Sequence, residues 1–280
     1  MDKLKIAITG STGLVGSRIV ELVSDEFEFI LLRYPEFDIT KRDVVYKVLK
    51  GLSFDVFLHL AAYTDVDGAE KNQDLAFKVN VEGTKNVFEA VDFLKKKFIY
   101  ISTGFVFDGK NPPFFEDSKP NPLSVYARTK YEGEKIVKGK AMIVRIDYPY
   151  RKSFPEKKDF FRAIKERLEK GQEVLAVEDM LITPTFIDDI AYGLKYLFKN
   201  FTPEIFHLVG SKSYRPYDLG RMIAKKFSFD ESLVKPISFK KFFEGRAPRP
   251  QWNEMKTKKN DFFKMKSFEE AMEMLGKVKS

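Results

Sequence analysis

An α/β fold, a doubly wound parallel sheet with a smaller C-terminal α/β part, is predicted by three features of this sequence. Short apolar runs rich in β-branched and aromatic residues recur along it: KIAIT, FEFILL, FDVFLH, KFIYIS, AMIVRI and IFHLV. Between them lie stretches with helical apolar spacing, the alternation expected when crossover helices cover both faces of a parallel sheet. The first of the apolar runs passes directly into a glycine-rich turn and a helix, Gly10-Ser-Thr-Gly13-Leu-Val-Gly16. At 280 residues and 44% hydrophobic, the chain can bury one large core with a small appendage.

The composition narrows the function classes. There is no cysteine, and the two histidines, His59 and His207, lie far apart, which argues against disulfides and against a transition-metal site. No apolar run approaches the ~20 residues that span a bilayer, and the N-terminal MDKLKIAITG enters a strand with no signal-like segment, so no membrane partner and a cytoplasmic location are expected. The net charge of +8 is concentrated in residues 201–280, with 17 Lys/Arg against 10 Asp/Glu. The basic residues are scattered rather than aligned in a stripe, so no nucleic acid is expected; a nucleotide diphosphate is the better anionic partner.

Taken in order, the first strand and its turn predict a dinucleotide site. Small residues let the turn close and let a pyrophosphate reach backbone N–H groups at a helix N-terminus. The following helix should bury Leu14, Ile19, Leu22 and Val23. FEFILLRY is the second strand, ending near Arg33, where an adenosine ribose would lie; Arg33 suits the 2′-phosphate of NADPH, while Glu36 and Asp38 close by leave NADH open. Asp38-Ile39-Thr40 opens a helix over Lys41–Leu49, and is read equally as flanking an adenine or as an ordinary cap. FDVFLHLAA is the third strand, with Leu60, Ala61, Ala62 and Tyr63 at its ligand-facing end and His59 as a satisfied core histidine. Helical spacing then predicts one long helix over Ala69–Leu94 that buries Leu75, Phe77, Val79, Val87, Phe88 and Val91, with Asn80 as a polar inclusion that binds water or local backbone.

The stretch KFIYISTGFVFDGKNPPFFEDSKPNPLSVYARTK, Lys97 to Lys130, carries the chemistry. A strand ends at Ser102-Thr103, a Pro/Gly-rich loop follows, and a helix capped by Ser124 carries Tyr126 and Lys130 four apart on one face. A phenol beside an ammonium is suited to proton exchange with a carbonyl or alcohol oxygen, with Thr103 holding that oxygen. Four Tyr-x-x-x-Lys pairs occur in the chain, so the pair alone is uninformative; only Tyr126/Lys130 follows a Ser-Thr strand end across one loop.

Together the Gly10–Gly16 turn, His59-Leu-Ala-Ala-Tyr-Thr-Asp-Val-Asp67, Ser102-Thr103 and Tyr126-Ala-Arg-Thr-Lys130 resemble the extended short-chain dehydrogenase/reductase superfamily, whose cofactor half has the Rossmann-type sheet. Within it the segments AAYTDVDGAE, VFDG, NPLSVYARTKYEGE, TPTFIDDIA and GRAPRP look most like the dTDP-4-dehydrorhamnose reductase family. The resemblance implies NADPH-dependent reduction of the 4-keto group of a nucleotide-linked 6-deoxy sugar. Tyr126 would be the general acid, Lys130 would lower its pKa and hold the nicotinamide ribose, and Thr103 would bind the carbonyl oxygen. Gly10, Ser11, Thr12, Gly13, Leu14, Val15 and Gly16 would surround the pyrophosphate, with Leu60, Ala61, Ala62, Tyr63 and Ser102 beside the ribose and nicotinamide. Val66, Thr103, Tyr148 and Arg246 would meet the sugar nucleotide.

Two departures from the family pattern bear on the substrate. Gly104-Phe105 stands where the family usually has Asp-Tyr, removing a carboxylate and a hydroxyl beside the sugar, and Asp147-Tyr-Pro-Tyr150 replaces a small-polar and tryptophan pattern. The expected division is 1–150 for the NADP(H)-binding part, with segments of 180–210 returning to it, and 151–280 for mainly substrate-binding structure, with room for a homodimer. In the second half Gly171 should stop the helix DFFRAIKERLEKG, and Asp188 or Asp189 should cap FIDDIAYGLKYLF. Two other readings stay open: an epimerase or dehydratase of the same superfamily with bound NAD, and a non-catalytic dinucleotide-binding protein resembling the regulatory subunit of methionine adenosyltransferase.

Overall fold

Side chains buried on both faces draw β1 (Leu4–Thr9) into the middle of the molecule, where Ile6, Ala7 and Ile8 are inaccessible. In the computed structural model, which describes residues 3–276, the chain continues through α1 (Gly16–Val23), β2 (Phe27–Leu32), α2 (Arg42–Lys50) and β3 (Val56–His59). Next come α3 (Val66–Lys71), α4 (Gln73–Phe77), α5 (Thr84–Phe93), β4 (Lys97–Thr103), α6 (Val125–Val137) and β5 (Met142–Ile146). The remainder holds β6 (Pro149–Tyr150), α7 (Phe160–Glu169), β7 (Val174–Val177), β8 (Thr185–Phe186), α8 (Ile187–Lys199), β9 (Ile205–His207), α9 (Pro216–Lys226), β10 (Val234–Ile237), α10 (Phe239–Phe242) and α11 (Phe268–Leu275).

The main sheet has the order β2-β1-β3-β4-β5-β9, and every neighbouring pair is parallel. From β1 the chain moves outward to β2, then returns to the other side of β1 as β3. That reversal opens a crevice beyond the strands' C-terminal ends, the place where open α/β sheets bind ligands. One face buries Ile19 and Val23 of α1 and the apolar side of α8 against Ile6, Ile8, Leu58, Ile99 and Val144. The other buries Val45, Leu49, Val87, Val91 and Val137 against Ala7, Phe57, Phe98 and Ile143. Alternate side chains of one strand therefore serve two different cores. A third core gathers α7, α9, α11 and the small parallel pair β7–β10, while β6 pairs with β8 at the junction. Beyond residue 180 the chain returns to the sheet, because β9 pairs with β5 and α8 packs on α1.

Three expectations are corrected. The long helix over Ala69–Leu94 is interrupted at Asn72, whose φ −126° and ψ 55° are not helical. It is then underwound into a π-helical stretch from Lys78 to Gly83. These breaks shift the register of the apolar face, so Leu75 and Phe77 are 48% and 46% exposed while Val87, Phe88 and Val91 are buried. Asp188 and Asp189 do not cap α8: Asp188 takes a bidentate ion pair from Arg18 at 2.7 Å, and Asp189 takes Lys266 Nζ at 2.6 Å. Asp38 does not cap α2 either; its carboxylate accepts from Thr40 N and Oγ1 in a local turn. Gly171 does follow the end of α7, in the left-handed region at φ +64°. Among the described residues no helix is long and apolar enough to cross a membrane.

Candidate active site

The glycine turn is closed by backbone-on-backbone packing. Gly10 has φ +70°, and a Cβ there would lie 2.9 Å from Ala61 N and from the Leu60 carbonyl carbon. A Cβ on Gly16 would collide with the Gly10 carbonyl oxygen. Only glycine permits these approaches, which bring residues 10–16 and 60–62 together at the C-terminal ends of β1 and β3. Helix α1 begins without a side-chain cap. Beside it Ser11 Oγ is buried with no hydrogen-bond partner, as is Ser102 Oγ at the end of β4. Two orphaned hydroxyls, an uncapped helix N-terminus and a turn with glycine at three positions fit a dinucleotide, whose polar atoms would supply the missing partners. Thr12 and Gly13 are exposed at the turn, and Leu14 and Val15 are half-buried behind it.

Neighbouring side chains hold this edge in place. Asn80 Oδ1 accepts from Tyr63 N at 2.7 Å, and its Nδ2 donates to Tyr63 O and to Thr129 Oγ1, so the π-helical stretch aims a clamp at the loop after β3. The polar inclusion thus binds backbone 17 residues away rather than a near neighbour. His59 hydrogen-bonds Thr9 Oγ1 at 2.8 Å and Thr84 Oγ1 at 3.2 Å, and burial holds its pKa down at about 3, as a core histidine requires. Arg33 lies exposed just past β2, where a ribose phosphate could reach it. Asp38 is half-buried, and Ile39 turns its side chain into the core against Gly83, so at Ile39 mainly backbone is available to a ligand. Arg151, beyond β6, donates to Leu14 O, Ser17 Oγ and Glu21 Oε2, fastening the C-terminal part to α1.

Thr103, Tyr126 and Lys130 come together at the end of β4. Ser124 caps α6 by accepting from Ala127 N at 3.2 Å, which sets the helix's first turn and places Tyr126 over the strand end. The Thr103 hydroxyl lies beside the Tyr126 phenol, whose ionisation it favours, and accepts from Phe105 N at 3.2 Å. Lys130 is buried, with Nζ 2.8 Å from Ile101 O and 4.1 Å from the centre of the Tyr100 ring. The expected lowering of the phenol by Lys130 is absent in this arrangement. Burial pushes Tyr126 up to about 12, opposed by Thr103 and reinforced by Asp147. Burial equally brings Lys130 down to about 7, against the pull of Glu134. The amine faces Ile101 O and the Tyr100 ring, so the phenol keeps its proton, the form a general acid needs at the start of a reduction.

The sugar-facing residues fall less evenly into place. Val66 opens α3 and is half-buried. Tyr148 adopts φ +38°, uncommon for a bulky residue, and stacks obliquely on Phe105, whose ring also meets Tyr126 edge-on. Arg246 is exposed over the Phe242 ring, whereas Arg249 of the same basic segment is the inward one. Arg249 pairs with Asp67 at 2.9 Å, and its charge bears on Tyr148. Phe105, Asp147, Arg249 and Asn253 were not singled out as site residues. For Arg249 the GRAPRP segment was a usable signal; for Asn253 there was none, because it reaches the site through long-range contacts such as the bridge pairing Leu181 with Trp252 and the bond from Thr183 Oγ1.

Comparisons with known proteins agree in direction. The family model described as RmlD substrate binding domain matches residues 4–278. A dTDP-4-dehydrorhamnose reductase of Aggregatibacter actinomycetemcomitans is 30% identical over 246 residues, 83% of this chain and 81% of that protein. Methionine adenosyltransferase 2 subunit beta of Bos taurus is 26% identical, over 88% of this chain and 78% of its own length. The crystal structure of dTDP-4-dehydrorhamnose reductase from Bacillus anthracis in complex with NADP superimposes with a TM-score of 0.91 at 29% identity, covering 98% of this chain and 99% of that one.

Proposed function

Because the chain belongs to the RmlD substrate binding domain family of extended short-chain dehydrogenase/reductases, we propose that it reduces the 4-keto group of dTDP-4-dehydro-L-rhamnose to give dTDP-L-rhamnose. It is an NADPH-dependent oxidoreductase acting on a nucleotide sugar. The observation that carries the reading is the meeting of Thr103 and Tyr126 at the sheet's C-terminal edge, one helical turn from buried Lys130 and beside the glycine turn. NADPH, when bound, supplies the hydride to the sugar C4.

The chain's own residues do the rest. Thr103, placed beside the Tyr126 phenol, holds the carbonyl oxygen through its hydroxyl. Tyr126 Oη gives its proton to that oxygen as negative charge develops there. Lys130, one helical turn from Tyr126 and anchored on Ile101 O, holds the nicotinamide ribose. Gly10, Ser11, Thr12, Gly13, Leu14, Val15 and Gly16 hold the pyrophosphate, Arg33 the 2′-phosphate, and Leu60–Tyr63 with Ser102 the ribose and nicotinamide. Val66, Phe105 and Tyr148 wall the sugar, with Arg246 and Arg249 toward the diphosphate. In this reading residues 1–150, with 180–210 returning, carry the cofactor and 151–280 mainly the substrate. A cytoplasmic location goes with it, since nucleotide sugars and NADPH are made there.

The test is NADPH oxidation with dTDP-4-dehydro-L-rhamnose. Tyr126→Phe should lower kcat by on the order of 10²–10⁴-fold while NADPH binding persists. The mammalian relative supports a second reading, a regulatory subunit, and wild-type protein that binds NADPH tightly without turnover would favour it.

A further inference from the structure

The two departures from the family pattern meet in space. Strands β4 and β5 lie side by side with Thr103 opposite Ile146, so the next residues, Gly104 and Asp147, leave neighbouring strand ends together. The space that a side chain at 104 would fill is taken: a Cβ there would lie 2.8 Å from Asp147 Oδ1, 2.9 Å from Asn253 Nδ2, and against Met255 Sδ. A carboxyl group is therefore present one residue from Thr103, delivered from the adjacent strand.

Its surroundings are unusual for an ionised acid. Asp147 is 1% exposed, and its hydrogen bonds are neutral ones, from Thr183 N to Oδ2 at 3.0 Å and from Asn253 Nδ2 to Oδ1 at 3.1 Å. Asn253 is wholly buried, and its Oδ1 has no hydrogen-bond partner. A carboxylic acid O–H would satisfy that oxygen once the amide turns over, so the pair has two hydrogen-bonded states. The carboxylate accepts from Nδ2; the acid donates to Oδ1. Burial favours the acid and holds Asp147 well above the usual carboxylate range.

The titratable and charged groups facing Asp147 are Tyr126 from α6, Tyr148 beside it in the chain, and Arg249 beyond Tyr148. Thr103, Thr183, Asn253 and Met255 are neutral. As Tyr126 gives up its proton a phenolate forms, and a carboxylate nearby opposes that charge whereas a carboxylic acid does not.

We propose that Asp147 is a positioning residue for the proton-transfer step: neutral between Asn253 and Thr183 it leaves Tyr126 free to release its proton, and ionised it holds that proton back. This deepens the reductase reading and rests on it. Tyr126 Oη loses its proton to the substrate oxygen and regains one from solvent; Asp147 is neither consumed nor covalently changed.

Two measurements test it. The first is the ¹³C resonance of the Asp147 carboxyl in the cofactor-free protein, assigned by its loss in Asp147→Asn. Protonation at neutral pH, with titration above the other aspartates, is expected, and titration among them overturns the proposal. That readout needs no substrate, so it stands apart from any failure of the reductase reading, which would show as absent turnover in the wild type. The second is the ratio of single-turnover NADPH oxidation rates at about pH 10 and about pH 7, where replacing Asp147 by Asn should raise the ratio on the order of tenfold over wild type. Asn253→Ser, which removes the donor to the carboxylate, should move the alkaline fall to higher pH. Alkaline limbs that coincide in all three proteins would overturn the proposal.

Discussion

His59 sits between two threonine hydroxyls at the heart of the sheet, and its buried ring resists protonation down to about pH 3. An unfolded chain protonates histidine near 6.5. The unfolded state therefore binds a proton that the native state refuses, so the stabilisation is complete above about 6.5 and is lost progressively as pH falls towards 3. At about pH 4.5 this one residue should cost about 2–3 kcal/mol relative to neutral pH. Unfolding free energies from urea titrations at the two pH values should differ less for His59→Gln by about that amount; equal pH dependence would rule the account out. The identity of His59 as a core residue was readable from its place inside FDVFLHLAA. The partner of Asn80 was not, because the clamp on Tyr63 spans a break in helical register that apolar spacing does not reveal.

Helix α6 shows what an element contributes beyond its residues. It carries Tyr126 and Lys130 near its start and Glu134 two turns on, and Glu134 is fully committed to Arg145 of β5 through two hydrogen bonds of 2.9 and 2.7 Å. Both side chains are almost inaccessible, at 2% and 3% exposure. Arg145 also approaches His207 of β9 and stacks over Phe107, so the pair ties the helix to two strands. Breaking it from one side leaves a buried charge without a partner: Glu134→Gln should destabilise by about 3–5 kcal/mol, while Glu134→Leu combined with Arg145→Met should recover most of the loss. Denaturation of the single and double variants decides this, and a double variant as unstable as the single one would refute it. The helix and its Ser124 cap followed from the sequence by local rules. The ion pair did not, because nothing in the spacing of Glu134 and Arg145 says that β5 lies beneath α6.

At the scale of the whole molecule, the glycine turn, the β3 loop and Arg151 bring the sheet and the C-terminal part to one edge. A ligand held there binds only the folded chain, so it stabilises by mass action. At NADPH 100-fold above its Kd the gain should be about 2.7 kcal/mol, growing with the logarithm of concentration. Melting temperature measured across an NADPH series should rise accordingly. NADH should shift it less at equal concentration if Arg33 takes the 2′-phosphate, and Arg33→Ala should erase the difference. A melting point indifferent to both cofactors would remove the glycine turn as the site.

The parallel strands, the glycine turn and the placing of Tyr126 and Lys130 on one capped helix were all legible in the linear chain, because each depends on short-range signals: glycines between a strand and a helix, runs of apolar residues, and a phenol and amine four apart after a serine cap. Three features were decided only by tertiary structure. They are the neutral surroundings of Asp147, the choice of Arg249 over Arg246 as the inward cation, and the burial that raises Tyr126 while lowering Lys130. Each of these depends on which groups distant in sequence exclude water from one another, a property of packing that neighbouring residues along the chain do not encode.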